Sequence, residues 1–295
     1  MISCSIGLLA YNEEKNMANL LDALLEQELK TVKIEQIIVV SSNSTDRTDE
    51  IVKEYERKDD RITLIIQPER RGKSSAINLF LEQATGEVYI IESADTIPAK
   101  DTIEKLSAPF ADEEVGMTGG RPQPVNDPSS FIGFAVWFLW HLHHKMALQF
   151  PKIGEMAAFR NVVKEIPEKS AVDEASIEAI IHEHDLKIRY IPDAIVKNKG
   201  PENIKDFIKQ RRRIYSGHLW LQDNQNYTVS SQDPGLIVKL TLAEFSCNPI
   251  KDLKILFTIS LEVWGRFLGW WDYKIKNKNP FKWDISESTK DLEKK

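Results

Sequence analysis

Three features of this 295-residue chain predict an α/β fold, with a mainly parallel central sheet flanked by helices and amphipathic helices toward the C-terminus. Short β-branched strands alternate with helical patterns from Ile2 to Ile91, the mark of a parallel sheet covered on both faces. Small or polar residues stand where these strands give way to helices. Two long apolar segments follow, at 131–150 and 253–271.

Ile2 to Ala10 reads as a strand, and Glu13 to Glu28 as an amphipathic helix with Leu20, Leu21, Leu24 and Leu25 on its inner face. Ile37 to Val40 is a strand, Asp46 to Arg57 a helix, and Ile62 to Ile66 a strand. Lys73 to Ala84 is a helix and Glu87 to Ile91 a strand, with right-handed crossovers expected. Gly116 to Pro128, rich in Gly, Pro and Asn, reads as loop or edge strand. Residues 170–184 and 203–222 read as helices, the second basic, with a strand from Ile188 to Ile191 between them. The tail from Asp272 carries seven Lys against five acids and should fray at its end.

Hydrophobic content of 42% and charged content of 28% are ordinary for a globular core. A net charge of −6 argues against a nucleic-acid partner. Cys4 and Cys247 form no disulfide framework, which fits a reducing, cytoplasmic setting. The opening MISCSIGLLAYNEE lacks a basic n-region, so no secretory leader is expected. No Trp precedes Trp137 and all six His lie between His141 and His218, so the first 130 residues and the rest are expected to be parts with different jobs.

The segment at 131–150 is too short for a bilayer span before it reaches HLHHK. In 253–271, Lys254, Thr258, Glu262 and Arg266 form one narrow polar stripe on an otherwise apolar, Trp-rich helix. That pattern suits a helix lying in a membrane interface, ahead of one buried in its own domain or in an oligomer contact. The charges argue against a span. His141, His143 and His144 share no helical face well, so an interfacial anchor is expected there rather than a metal site.

Carboxylates resist burial unless paired or bound to metal, which makes VYIIESADTIP at 88–98 informative. Its strand delivers Asp95 at the C-terminal end, where open α/β sheets bind ligands. AYNEE at 10–14, VVSSNSTDRT at 39–48 and PERRGKSSAIN at 68–78 would meet it there. Helix N-termini at these junctions offer N–H groups to a nucleotide diphosphate. Gln67 stands where a P-loop needs Gly, and no G-x-G-x-x-G follows the first strand, so neither of those nucleotide motifs applies. Taken alone, Ser44 and Asp46 read as helix caps.

Together these stretches resemble glycosyltransferase family 2, whose members have the GT-A fold. Ala10, Tyr11, Asn12, Glu13 and Glu14 resemble its P-x-Y-N-E-E stretch, and Val40 to Asp46, including Ser42, its V-D-D-G-S-T-D stretch. Gly72, Lys73, Ala76 and Asn78 resemble G-K-x-x-A-x-N. Ser93-Ala94-Asp95 falls on D-x-D. Gly154, Glu155 and Met156 open GEMAAFR, similar to the acceptor-side G-x-x-x-A-F-R. Asp173 and Glu174 sit at the acidic catalytic pair, and Gln210 to Ile214 resemble the Q-x-x-R-W of cellulose-synthase-like members.

The resemblance covers roughly residues 2 to 220. It implies donor contacts from Ala10, Tyr11, Asn12, Glu13, Ser42, Lys73, Ser93, Asp95, Gln210 and Arg213, and acceptor contacts from Gly154, Glu155 and Met156. It also implies a divalent cation, Mg²⁺ or Mn²⁺, on Asp95. The general base would be Glu174, with Asp173 kept as the alternative. His218 would face the same cleft. Domains are expected at 1–225, in halves 1–98 and 99–225, and at 226–295.

Three positions depart from the family pattern. Ser42 replaces the uracil-contacting Asp, which brings guanosine donors forward. Ser93 replaces the first Asp of D-x-D, and Glu92 points to the opposite face of the strand. Ile214 replaces a Trp that stacks on acceptor sugar. The expected protein is an inverting, single-transfer enzyme on the cytoplasmic side of the cell membrane, peripheral or monotopic. It would use a GDP-mannose or UDP-glucose type donor and a lipid-linked or glycan acceptor. A non-catalytic nucleotide-sugar-binding scaffold is the alternative. A nucleotidyltransferase is disfavoured by YNEE.

Overall fold

The computed structural model describes residues 1–279, 281, 282 and 292. Most of the expected tail, Trp283 included, lies outside the described residues.

Eight strands form one sheet in the order β3-β2-β1-β4-β7-β6-β8-β5. Strands β1 (Ile2–Ala10), β2 (Val32–Ser41), β3 (Ile62–Ile66) and β4 (Val88–Ser93) pair in parallel. The sheet continues through β7 (Ala157–Arg160), antiparallel to both β4 and β6 (Val115–Pro124). Strand β8 (Lys187–Asn198) runs parallel to β6, and short β5 (Thr96–Pro98) closes the far edge against it. The central sheet is therefore parallel in its first half and mixed in its second.

Strand alternation divides the core. Ile6, Leu8, Ile37 and Val39 face α1 (Met17–Leu25), α2 (Thr48–Glu56) and α4 (Thr102–Ser107). Leu9, Ile38 and Val40 face α3 (Lys73–Gln83) and α6 (Asp173–Glu183). Helix α1 starts four residues later than the apolar pattern suggests, because Asn12 to Asn16 are taken up by a turn. The expectation of loop or edge strand for Gly116 to Pro128 is corrected: β6 is interior, between β7 and β8. Its glycines admit neighbours, since a Cβ on Gly119 would lie 2.3 Å from Ile153 Cδ1.

Beyond the sheet, α5 (Phe131–Ala147), α7 (Ile204–Gln225), α8 (Pro234–Leu242) and α9 (Pro249–Trp270) pack together. Ser130 caps α5, Asn203 caps α7, Asp233 caps α8 and Asn248 caps α9, each through its side-chain oxygen. Helix α8 has no counterpart in the sequence reading. Gly265 and Gly269 let α9 lie directly on α7, where a Cβ would meet Arg211 Cβ at 2.7 Å and the Arg212 carbonyl at 2.6 Å.

The interfacial reading of 131–150 is corrected for most of its length. Phe134, Phe138, Leu142 and Met146 of α5 are buried under α8 and α9. The polar stripe of α9 faces the protein rather than water. Glu262 binds Arg211 and Arg266, Thr258 is 1% exposed, and Lys254 donates to the Pro128 and Ser129 carbonyls. The outer face carries Leu253, Leu256, Val263, Trp264, Phe267 and Trp270, all exposed.

Candidate active site

Four strand ends and the N-termini of two helices build the site. At the end of β1, Asn12 adopts a left-handed backbone with φ of 54°. Its Oδ1 accepts from the Thr45 amide at 2.8 Å, and its own amide donates to Ser44 Oγ at 3.1 Å. The Glu13 amide donates to Thr48 Oγ1 at 2.7 Å. The stretch after β2 therefore locks the stretch after β1. Asp46 accepts from the Thr48 amide and, across to the stretch after β1, from the Glu14 amide; the cap reading is corrected, since the N-cap of α2 is Arg47 and no side chain caps that helix.

A cavity of about 1350 Å³ opens beside these turns. It brings together Tyr11, Lys73, Ser93, Asp95, Gly154, Glu155, Asp173, Glu174, Gln210 and Arg213, with His218 on its wall. The other expected residues do not line it. Ala10 and Met156 are core residues at 3% and 2% exposure. Asn12 is spent on Thr45, and buried Glu13 accepts from Asn16 Nδ2. Ser42 donates to Gln67 Oε1 at 2.9 Å, and Gln67 Nε2 donates to Ser75 Oγ. These five hold the frame around the cavity.

Lys73 opens α3, and Asp173 and Glu174 open α6. Lys73 Nζ lies 2.6 Å from Asp173 Oδ2 and 3.1 Å from Glu174 Oε1. Burial opposes the ammonium, yet the two carboxylates hold its pKa above the ordinary lysine value. Burial, then the neighbouring Asp173, raises the pKa of Glu174. The Glu174 side chain is 20% exposed and that of Asp173 only 4%, so Glu174 is the more open to a ligand.

Asp95 sits in the turn after β4, its pKa raised by burial and drawn back by Lys73 and Arg213. Glu155 is pushed up to about 8 by burial and then by Asp95. Glu92 is off the cavity wall; its Oε1 accepts from Thr96 Oγ1 at 2.7 Å, and burial pushes it to about 8. Among the described residues no three acids, His or Cys form a metal cluster. Asp95 and Glu155 nevertheless supply two carboxylates to the same cavity, and the charge of Asp95 adds to the rise in the Glu155 pKa. That donor set suits a hard cation that completes its shell with diphosphate oxygens and water.

Several lining residues escaped the sequence reading. Arg70 stacks over the Tyr11 ring at 4.2 Å, and its place in PERRG was the available signal. Lys152 and Arg211 also face the cavity, with no motif to flag Lys152. The expected interfacial role of the histidines is corrected. His141 pairs with Glu244, His144 Nδ1 with Tyr190 Oη, and His143 is buried.

A sheet of this topology, with acids and cations at its strand ends, defines a GT-A glycosyltransferase frame. Residues 5–165 match the model of glycosyl transferase family 2, and the chain belongs to that family. It is similar to the probable glycosyltransferase YdaM of Bacillus subtilis, 28% identical over 238 residues, covering 75% of this chain and 55% of that protein. Glycosyltransferase AglE of Haloferax volcanii is 28% identical over 117 residues, 40% of this chain and 38% of that protein. The chain thus spans about half, or less, of the length of these relatives.

Among solved structures, a Pyrobaculum calidifontis mannosyltransferase in complex with GDP-Man and Mn²⁺ superposes with TM-score 0.62 at 21% identity, covering 95% of this chain and 81% of that one. Glucosyl-3-phosphoglycerate synthase of Mycobacterium tuberculosis, with Mn²⁺ and UDP-Glc, gives TM-score 0.54 at 18% identity, covering 78% and 81%. At these identities the likeness establishes the fold.

Proposed function

We propose that the chain is an inverting, cation-dependent glycosyltransferase of class EC 2.4. It transfers one sugar from a nucleotide-sugar donor to a lipid-linked or glycan acceptor at the cytoplasmic face of a membrane. The observation that carries this reading is the meeting of Lys73, Asp173, Glu174, Asp95 and Glu155 on one cavity.

The donor diphosphate binds beside Lys73, Gln210 and Arg213, whose guanidinium is buried on the cavity wall. Asp95 and Glu155 would hold the cation, whose contribution when bound is to offset charge on the departing diphosphate. Glu174 takes the proton of the acceptor hydroxyl. The acceptor oxygen bonds to the anomeric carbon from the far side as the bond to the diphosphate oxygen breaks. The nucleoside diphosphate leaves, and Lys73 then has the Asp173 carboxylate as its counter-charge until Glu174 gives up its proton to solvent.

The donors named in the two solved neighbours support a GDP-mannose or UDP-glucose type. Ser42 is bound to Gln67 and offers no carboxylate to a uracil N–H, which favours guanosine. No helix among the described residues is long and apolar enough to cross a membrane. Membrane association is supported instead by α9, whose polar stripe is turned inward and whose aromatic face is turned outward.

Transfer of radiolabelled sugar from nucleotide donors into a membrane extract tests the proposal. Label entering the lipid or glycan fraction from one donor, lost on chelation, is expected. No transfer from any donor contradicts it.

A further inference from the structure

One buried carboxylate lies outside the motifs and outside the mechanism. Glu178 of α6 is 1% exposed and stands one turn beyond Glu174 on the same helix face. Its Oε1 accepts from the Ile153 amide at 2.7 Å, and its Oε2 accepts from the Tyr227 hydroxyl at 3.1 Å. Burial pushes its pKa up to about 6, held back first by Lys152 and then by the Ile153 amide. Burial lowers the pKa of Lys152, and Glu178 is the strongest charge opposing that. The two form a counter-charged pair behind the cavity wall, and the carboxylate is ionised at neutral pH.

What Glu178 holds is the segment that carries Glu155. Residues 152–155 run along the cavity between α5 and β7, outside both elements. The Ile153 side chain packs over Gly119 of β6, while its backbone is tied to α6 through Glu178. Glu155, two residues on, accepts from Asn198 Nδ2 at the end of β8, 3.2 Å away. The segment is thus pinned to the sheet on one side and to α6 on the other, and α6 is the helix that carries Asp173 and Glu174. Apolar side chains of similar volume would hold a fold as well as a buried ion pair does. The pair has a use where position matters, because a shift of about 1 Å at a reacting group can cost about a hundredfold in rate.

We propose that Glu178 is a positioning residue: through the Ile153 amide it sets where Glu155 stands relative to Glu174, and so the spacing between the cation-holding carboxylate and the base. The proposal rests on the transferase reading of this cavity and adds to it a side chain that stands behind the wall.

Two double variants test it, each removing both buried charges so that neither ion is left unpaired. Lys152→Met with Glu178→Gln keeps a side-chain oxygen for the Ile153 amide; Lys152→Met with Glu178→Leu does not. Mn²⁺ is titrated calorimetrically into each protein saturated with GDP or UDP, whichever the parent binds. The leucine pair should bind Mn²⁺ about tenfold more weakly than the parent, and the glutamine pair within about threefold of it. Nucleotide affinity in the presence of chelator should be the same in both pairs, which a general loosening of the fold would not allow. Equal Mn²⁺ affinity in the two pairs overturns the proposal. So does fast hydrogen exchange at the Ile153 amide of the parent, read by NMR, a measurement that needs no variant to fold. A parent that binds neither nucleotide, with or without Mn²⁺, overturns the transferase reading and the proposal with it. Mn²⁺ binding by the nucleotide-loaded parent that persists unchanged in the leucine pair overturns the positioning role alone.

Discussion

One ammonium, that of Lys73, holds both acids at the start of α6, 2.6 Å from Asp173 Oδ2 and 3.1 Å from Glu174 Oε1. Under the proposed mechanism, a donor diphosphate competing for this ammonium would free Glu174 to act as base, coupling donor binding to readiness of the base. Glu174→Gln should lower transfer about a hundredfold to ten-thousandfold while nucleotide affinity stays within a few fold. Single-turnover kinetics beside nucleotide titration checks this. Lost nucleotide binding with unchanged chemistry would reverse the assignment.

Glu92 predicts a pH-dependent stability. Its pKa is raised to about 8 in the folded chain by burial first, with Glu155 and Asp95 adding to it. A raised folded pKa means that the protonated side chain is tolerated below the unfolded value near 4.5 and becomes costly as pH climbs toward 8. Glu92→Gln removes that cost. Its stability advantage over the parent should grow between pH 5 and 8, by up to about 1.4 kcal/mol per pH unit. Urea unfolding across that range reads it, and a constant difference would contradict it.

Glu262 joins α9 to α7. Arg211 donates to it at 2.6 and 3.0 Å, and Arg266 at 2.7 Å. Burial opposes its charge, yet the two guanidinium groups lower its pKa to about 2. Glu262→Gln leaves two cations without their carboxylate and should cost on the order of 3 kcal/mol. Chemical denaturation measures it, and a loss below about 0.5 kcal/mol, within the usual surface range, would refute the role.

Trp264 and Phe267 stand 54% and 46% exposed on the outer face of α9. Replacing both by Glu should leave the melting temperature nearly unchanged and reduce co-flotation with lipid vesicles at least about tenfold. A variant that floats as well as the parent would show that this face does not meet lipid.

Local pattern made part of this legible. Strands β1 and β3 keep their predicted bounds because apolar, β-branched runs ended by polar turns leave little choice. The acids at 95, 173 and 174 and the cations at 73 and 213 were readable from motif order, and all line the cavity. Tertiary packing hid the rest. Strand β6 looks like a loop because its glycines make room for side chains such as Ile153 from elsewhere in the chain. The polar stripe of α9 looks water-facing until Arg211 of α7 is placed beneath it. Lys152 stands alone in PKIGEM, where no spacing rule points to it, and only the closure of α5 and α7 around it shows its place. Asn12, Glu13 and Ser42 sit in the expected stretches but serve the turns that shape the cavity.

Nucleotide release from a panel of GDP- and UDP-sugars, with Mn²⁺ or Mg²⁺, tests the central claim most directly, run on the parent chain beside Asp95→Asn and Glu174→Gln. Slow donor hydrolysis needs no acceptor. The account predicts release from one donor, abolished by chelation and in Asp95→Asn and strongly slowed in Glu174→Gln. Release that ignores both the chelator and the Asp95→Asn change, or no release and no nucleotide binding at all, would contradict it.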